Sequence, residues 1–457
     1  MEIAKSKLVK NKKGIIISFC SVLVIYLGIS IYFTNHFYFS TKINNIDASG
    51  KTVEEVGEQI KAYTLKLEER DGVNEEIKAE DIGLKYASED KIQALKDSQN
   101  PFGWVASIFN KDENKVPDMV TYDEELLKKY VDKLSCFDSS KIIEPQNPKL
   151  EYTDKGYEII DEVYGNKINK DTLDDNVVNA ILTGKTTINL ESINCYETTK
   201  YTASSQEVMD AKNNLDKYTS SKITYTFGEK TEDLDGSTIH SWLSVDENMG
   251  VIFDEKKIEN YVDTLGSKYN TVGNTRDFKT SSGTTVKVSG GTYGWLINSE
   301  EEVQALITSI KEGQTITKEP IYSQKGITRN ANEIGSTYVE INMSNQHLSF
   351  YKNGSLIVEG SVVTGNVSNG TSTPTGTYYI EYVEKNATLK GEGYSVPVSY
   401  WMPFNNGIGI HDATWRSSFG GNIYKSSGSH GCVNAPYSLA NTIFNNIDAG
   451  TPVVCFY

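Results

Sequence analysis

Cysteine and histidine are scarce in this chain, five of each among 457 residues, and proline is sparse at ten. So few cysteines, spread from Cys20 to Cys455, exclude a disulfide-dense scaffold. Basic side chains fall short of acidic ones, 45 against 61, for a formal charge of −16. The deficit is uneven: residues 34–335 hold about −18, an acidic stretch that argues against nucleic acid as a partner. Residues 336–457 are nearly balanced, with five basic and seven acidic side chains.

What remains is a globular composition, 38% hydrophobic and 23% charged, with tyrosine prominent at 28. The length gives a prior of about three domains. Residues 1–13 carry Lys5, Lys7, Lys10, Lys12 and Lys13, and the charge-free apolar run 14–33 follows. A helix of that length covers roughly 30 Å, the thickness of a hydrocarbon core. The lysines keep the N-terminus inside, so the spacing predicts a transmembrane anchor with residues 34–457 outside the cell membrane. A cleaved signal peptide is the rival reading, but no Ala-x-Ala site follows the run.

Residues 34–325 contain an imperfect repeat. Lys129-Tyr-Val-Asp-Lys-Leu134 answers Asn260-Tyr-Val-Asp-Thr-Leu265, and Tyr164-Gly-Asn-Lys-Ile-Asn169 answers Tyr293-Gly-Trp-Leu-Ile-Asn298, each followed by an apolar-periodic segment. Two α+β modules fit this pattern, at 34–200 and 201–330. Cys136 and Cys195 fall in the first and could pair as a disulfide. Beyond 336 the chain is rich in Gly, Ser, Thr and aromatics with period-two runs, which predicts a β-rich sandwich or barrel-like domain over 336–457. One helix interrupts it, with Leu439, Ile443, Phe444 and Ile447 at helical spacing, Asn434 as N-cap and Pro436 in the first turn. The whole reads as an α+β protein.

Two of the five histidines, His411 and His430, lie within 21 residues of Cys432. In Gly407-Ile-Gly-Ile-His-Asp412 the two isoleucines share one face, so His411 projects from the other, beside glycines that leave room for a ligand. In Ser429-His-Gly-Cys-Val-Asn434 the cysteine would stand just before a helix, whose N-terminal partial charge, together with an imidazolium, would favour its thiolate. Gly431 allows a tight turn whose N–H groups could hold an oxyanion. The chemistry suggested is acyl transfer.

A His, a loop of this length and then Ser-His-Gly-Cys-hydrophobic-Asn resembles the signature of the L,D-transpeptidase (YkuD-like) family, as does Ser372-Thr-Pro-Thr-Gly-Thr-Tyr378 upstream. The opening Asn44-Asn-Ile-Asp-Ala-Ser-Gly-Lys-Thr52 resembles that of the peptidoglycan-binding modules that precede such domains. The resemblance implies that Cys432 attacks the bond between an L-centre and D-Ala in a peptidoglycan tetrapeptide stem, releases D-Ala and passes the acyl group to a neighbouring amine. It implies His411 as base, His430 in support, Asp412 orienting His411 by side chain or main chain, and carbapenem-type inhibitors as ligands. Ser429, Gly431 and Asn434 would contact the substrate or its oxyanion, although Asn434 stands where other members have Arg. Trp415, Tyr394 and Trp401 would line the cleft or pack in a core.

Water or a protein could replace the stem amine as acceptor, giving an L,D-carboxypeptidase or a wall-anchoring enzyme. A wall-binding ectodomain without activity is the reading of another class, opposed by the intact Cys-His set. Zinc on the two histidines and the cysteine lacks an evident fourth ligand, so no cofactor is expected.

Overall fold

The computed structural model describes residues 2–87, 89–391 and 394–457, with side chains at 2–11, Asp71 and Tyr394 set aside. It divides into two compact units: 1–151 with 159–208, and 152–158 with 209–457.

The first unit opens on helix α1 (Glu2–Tyr32), of which Lys12–Tyr32 is long and apolar enough to cross a membrane. The module behind it holds the antiparallel pair β1 (Thr64–Glu68) and β2 (Asn74–Lys78), then helices α2 (Glu124–Val131) and α3 (Lys170–Thr183). Strand β3 (Thr187–Asn189) closes it, parallel to β1. Leu65, Leu67, Ile77, Leu127, Leu173 and Val177 make its core. Cys136 and Cys195 are both free thiols, the latter buried.

The second unit repeats the plan. β4 (Lys222–Phe227) pairs antiparallel with β5 (Lys230–Leu234), helix α4 (Glu255–Tyr269) follows, and a hairpin of β6 (Arg276–Lys279) and β7 (Thr285–Val288) is inserted. Helix α5 (Ser299–Glu312) then leads to β8 (Thr315–Lys318), parallel to β4. The sequence repeat is a repeat of capping chemistry. Asp123 and Asp254 cap α2 and α4, while Asn169 and Asn298 cap α3 and α5 through their side-chain oxygens. Gly184 and Gly313 end α3 and α5 at φ 69° and 70°, a left-handed conformation that favours glycine.

The rest of the second unit is a two-sheet sandwich, with no closed barrel among the described residues. Five strands run in the order β11-β10-β9-β17-β12: β9 (Tyr338–Asn342), β10 (His347–Lys352), β11 (Ser355–Ser361), β12 (Gly376–Tyr379) and β17 (Pro452–Phe456). Four more run β13-β14-β15-β16: β13 (Glu384–Gly391), β14 (Tyr394–Asn405), β15 (Ile408–Asp412) and β16 (Val433–Ala435). Between them lie Val339, Ile341, Leu348 and Phe350 from one sheet and Met402, Phe404, Ile410 and Val433 from the other, sealed by Leu439 and Ile443 of helix α6 (Tyr437–Phe444). Strand β17 is buried on both faces. Val453 and Cys455 point into this core, while Val454 and Phe456 meet Phe278, Val288 and Tyr293 of the preceding module.

One expectation fails here. Residues 433–435 form a strand, and helix α6 begins only at Tyr437, so Asn434 is not its N-cap and Pro436 occupies that position instead. Val433 to Ala435 pair in parallel register with Ile410 to Asp412, and Asn434 exchanges backbone hydrogen bonds with Val363. Tertiary pairing fixes these three residues as strand. With the helix displaced, the charge at its N-terminus falls outside the first-turn range needed to stabilise a thiolate at Cys432.

Candidate active site

Strand alternation builds the site from the face of the four-stranded sheet opposite the main core. Ile410 and Val433 enter the core, leaving His411 on the far side opposite Trp401, its partner on β14. The two rings lie 5.9 Å apart, and Trp415 flanks His411 from the loop at 5.8 Å. Cys432 packs against the cluster of Ala387, Val398 and Trp401, so Trp401 neighbours both Cys432 and His411. Gly409 is required between them: a Cβ there would stand 2.7 Å from Trp401 and from the β14 backbone.

His411 is buried, 3% exposed, and its Nδ1 lies 2.8 Å from the carbonyl oxygen of Asp412. A carbonyl only accepts, so Nδ1 carries the proton and Nε2 is left as the acceptor. Burial is the main cause holding the imidazole below its ordinary pKa; Asp412 opposes it and the Arg416 cation adds to it. Asp412 therefore acts twice. Its main chain orients the histidine, while its buried carboxylate accepts hydrogen bonds from the N–H groups of Ser399 and Tyr400, at 2.8 and 2.9 Å.

Cys432 is partly accessible, and its Sγ lies 3.7 Å from the carbonyl of Gly407. Burial pushes the thiol up, with a backbone hydrogen bond from Gly409 pulling the other way. Both shifts run against the thiolate–imidazolium pair expected from sequence.

The turn before Cys432 is laced by hydroxyls. Ser429 Oγ donates to the Cys432 carbonyl at 2.5 Å and accepts from the Gly431 N–H at 3.1 Å. That N–H is therefore engaged in the turn rather than free for an oxyanion, and Gly431 contributes through its φ of +123°. His430 is exposed, in contrast to His411, and Trp415 is half exposed, whereas Trp401 and Asn434 are buried. The Tyr394 side chain lies outside the described residues.

Sequence reasoning missed three supports. Thr373 Oγ1 donates to the Gly431 carbonyl at 2.6 Å and accepts from Gly365 N–H, and Thr371 Oγ1 donates to the Ser429 carbonyl. The Thr-Pro-Thr-Gly phrase signalled a turn, but which threonine reaches the cysteine loop is a contact across 58 residues. The third is Arg416, whose Nη1 donates to the Ser427 carbonyl while its buried Nε has no hydrogen-bond partner.

Residues 336–455 match the family model of the L,D-transpeptidase (YkuD) catalytic domain, and 75–189 and 201–317 each match a putative peptidoglycan binding domain. The chain is 38% identical to Enterococcus faecium L,D-transpeptidase, solved as a cysteine-to-serine mutant; the match covers 55% of this chain and all of that one, with a TM-score of 0.44. The chain belongs to the L,D-transpeptidase family. An avibactam carbamoyl enzyme is also 38% identical, over 55% of this chain and 98% of the other, at a TM-score of 0.44. The catalytic domain of the Enterococcus faecium L,D-transpeptidase acylated by ertapenem is 42% identical, over 27% of this chain and 98% of its own length, at a TM-score of 0.25. No curated protein matches.

Within the L,D-transpeptidase domain, every histidine and cysteine of the sequence signature thus lies on one loop-and-strand assembly, β15 with the turn into β16.

Proposed function

We propose that this L,D-transpeptidase cross-links peptidoglycan by cysteine acyl transfer, anchored by α1 with its two modules and catalytic domain outside the membrane. The observation that supports it most is that Cys432 and His411 both lie beside Trp401, with the His411 Nδ1 proton tied to the Asp412 carbonyl. In this reading the proton leaves Sγ for Nε2 as sulfur attacks the carbonyl of the L-centre to D-Ala bond. The tetrahedral intermediate collapses as the imidazolium returns that proton to the amine of departing D-Ala, leaving a thioester. An acceptor stem amine then attacks the thioester, losing its proton to Nε2, and the thiol is restored. No metal or cofactor enters any step.

His430 and Trp415 are exposed, Ser429 and Gly431 form the turn that leads into Cys432, and Asn434 lies in the strand that follows it. The acylated relatives support a second consequence: carbapenem-type inhibitors should acylate Cys432. The test incubates the full chain with purified tetrapeptide stems and weighs the products. Cross-linked dimers with free D-Ala are expected, absent in Cys432→Ala. D-Ala release with tripeptide alone would make water the acceptor, and no D-Ala release from folded protein would overturn the reading.

A further inference from the structure

The segment 101–109, Pro-Phe-Gly-Trp-Val-Ala-Ser-Ile-Phe, contains no charge and performs no part of the chemistry above. It forms a 3-10 turn, Pro101–Gly103, and a short helix, Trp104–Ser107. Its apolar side chains are not in a core. Phe102 is 55% exposed, Val105 43%, Ile108 51% and Phe109 83%. The spacing of 102, 105 and 109 puts them on one face of a helical path. A patch of this kind on a folded module marks an interaction surface.

What covers it is indicated by what lies beside it. Tyr26 Oη of α1 donates to the Phe102 carbonyl at 2.6 Å, and Trp104 Nε1 donates to Ser30 Oγ at 3.2 Å. The Tyr26 and Trp104 rings are 5.9 Å apart, and Phe33 lies 6.1 Å from Trp104. Tyr26 and Ser30 belong to the apolar stretch Lys12–Tyr32 itself. Tyr26 sits six residues before the end of α1, roughly 9 Å along a helix axis. A segment docked there shares the depth of the bilayer's outer boundary, where Trp and Tyr favour the headgroup level and apolar side chains reach the acyl chains.

We propose that residues 101–109 are a lipid-inserted foot of the first module, packed on α1 in the outer leaflet, with Phe102, Val105, Ile108 and Phe109 in contact with lipid. The proposal rests on the reading that α1 crosses the membrane. Its function is orientation: two points of attachment, α1 and the foot, hold the module at the membrane surface where a single helix would let it swing.

The test reconstitutes the full chain into vesicles of dioleoylphosphatidylcholine with a fifth of dioleoylphosphatidylglycerol, and replaces the phosphatidylcholine by its dibrominated form to quench nearby tryptophans. The chain has five tryptophans, of which only Trp104 lies at the foot. Flotation with the vesicles, quenching by the brominated lipid and loss of at least half of that quenching in Trp104→Phe are expected. The double variant Phe102→Ser, Phe109→Ser keeps Trp104 and should float equally but quench less. A chain that floats with Trp104 unquenched overturns the foot and leaves the anchor standing. A chain that does not float removes both. If Trp104 is unquenched and the chain sediments as a dimer dispersed by Phe109→Asp, a second copy covers the patch and the lipid proposal is wrong.

Discussion

At the scale of residues, the division of labour inside Asp412 separates stability from rate. Asp412→Ala leaves the N–H groups of Ser399 and Tyr400 without their acceptor, about 1–3 kcal/mol each, yet keeps the carbonyl that orients His411. The melting temperature should fall clearly, with a smaller loss of turnover in the folded fraction. His411→Ala should do the reverse, costing about 10²–10⁴-fold in turnover with the fold intact. Since burial raises the Cys432 thiol and His411 is the base that takes its proton, iodoacetamide alkylation near neutral pH should slow in His411→Ala. An unchanged alkylation rate in that variant would remove His411 as the base.

The pH dependence has a definite sign. His411 is buried with a lowered pKa, so the unfolded chain binds a proton that the native one refuses, and its contribution to stability is lost as pH falls through the ordinary histidine range. Arg416→Gln removes a cation that lowers this pKa, so the acid limb of the rate profile should move to higher pH. Glu69 in the first module works the other way. Burial, then the neighbouring Glu75, raises its carboxyl to about 7. The native state holds that proton where the unfolded state has lost it, so its contribution fades as pH rises from the ordinary carboxylate range towards 7. Glu69→Gln should flatten that slope in pH-dependent denaturant melts.

At the scale of elements, legibility followed locality. The modules could be read because each helix begins at its own Asp or Asn and α3 and α5 end at their own Gly, all signals within a few residues of the helix they govern. The projection of His411 could be read because Ile408 and Ile410 alternate with it. Val433-Asn-Ala435 could not, because so short a run carries no period and its strand state comes from pairing with β15 and Val363. Thr373 was invisible for the same reason. Thr373→Val keeps its shape and removes the donor to Gly431, so it should cost about 1 kcal/mol or more of stability. It should also lower kcat more than raise KM, because the cysteine turn loosens while the cleft walls stay.

At the scale of the whole molecule, the boundary near 330 suggested by composition does not mark a break in packing. The β6–β7 hairpin covers Val454 and Phe456, Ser281 bonds the Glu340 carboxylate, and Thr377 on β12 pairs with Gly290 and Tyr293. A chain beginning at residue 330 should therefore melt below one beginning at 205. Uncovering two large apolar side chains alone is worth about 3–6 kcal/mol. Equal melting temperatures would show that the hairpin adds nothing.

The central claim is that Cys432 carries the acyl group, and a peptide-mapped mass of the trapped intermediate tests it most directly. Full-length protein quenched in acid after brief mixing with a tetrapeptide stem, or with ertapenem, should show one adduct on the peptide containing Cys432 and none in Cys432→Ala. An adduct on any other residue, or one that persists in Cys432→Ala, would contradict the account.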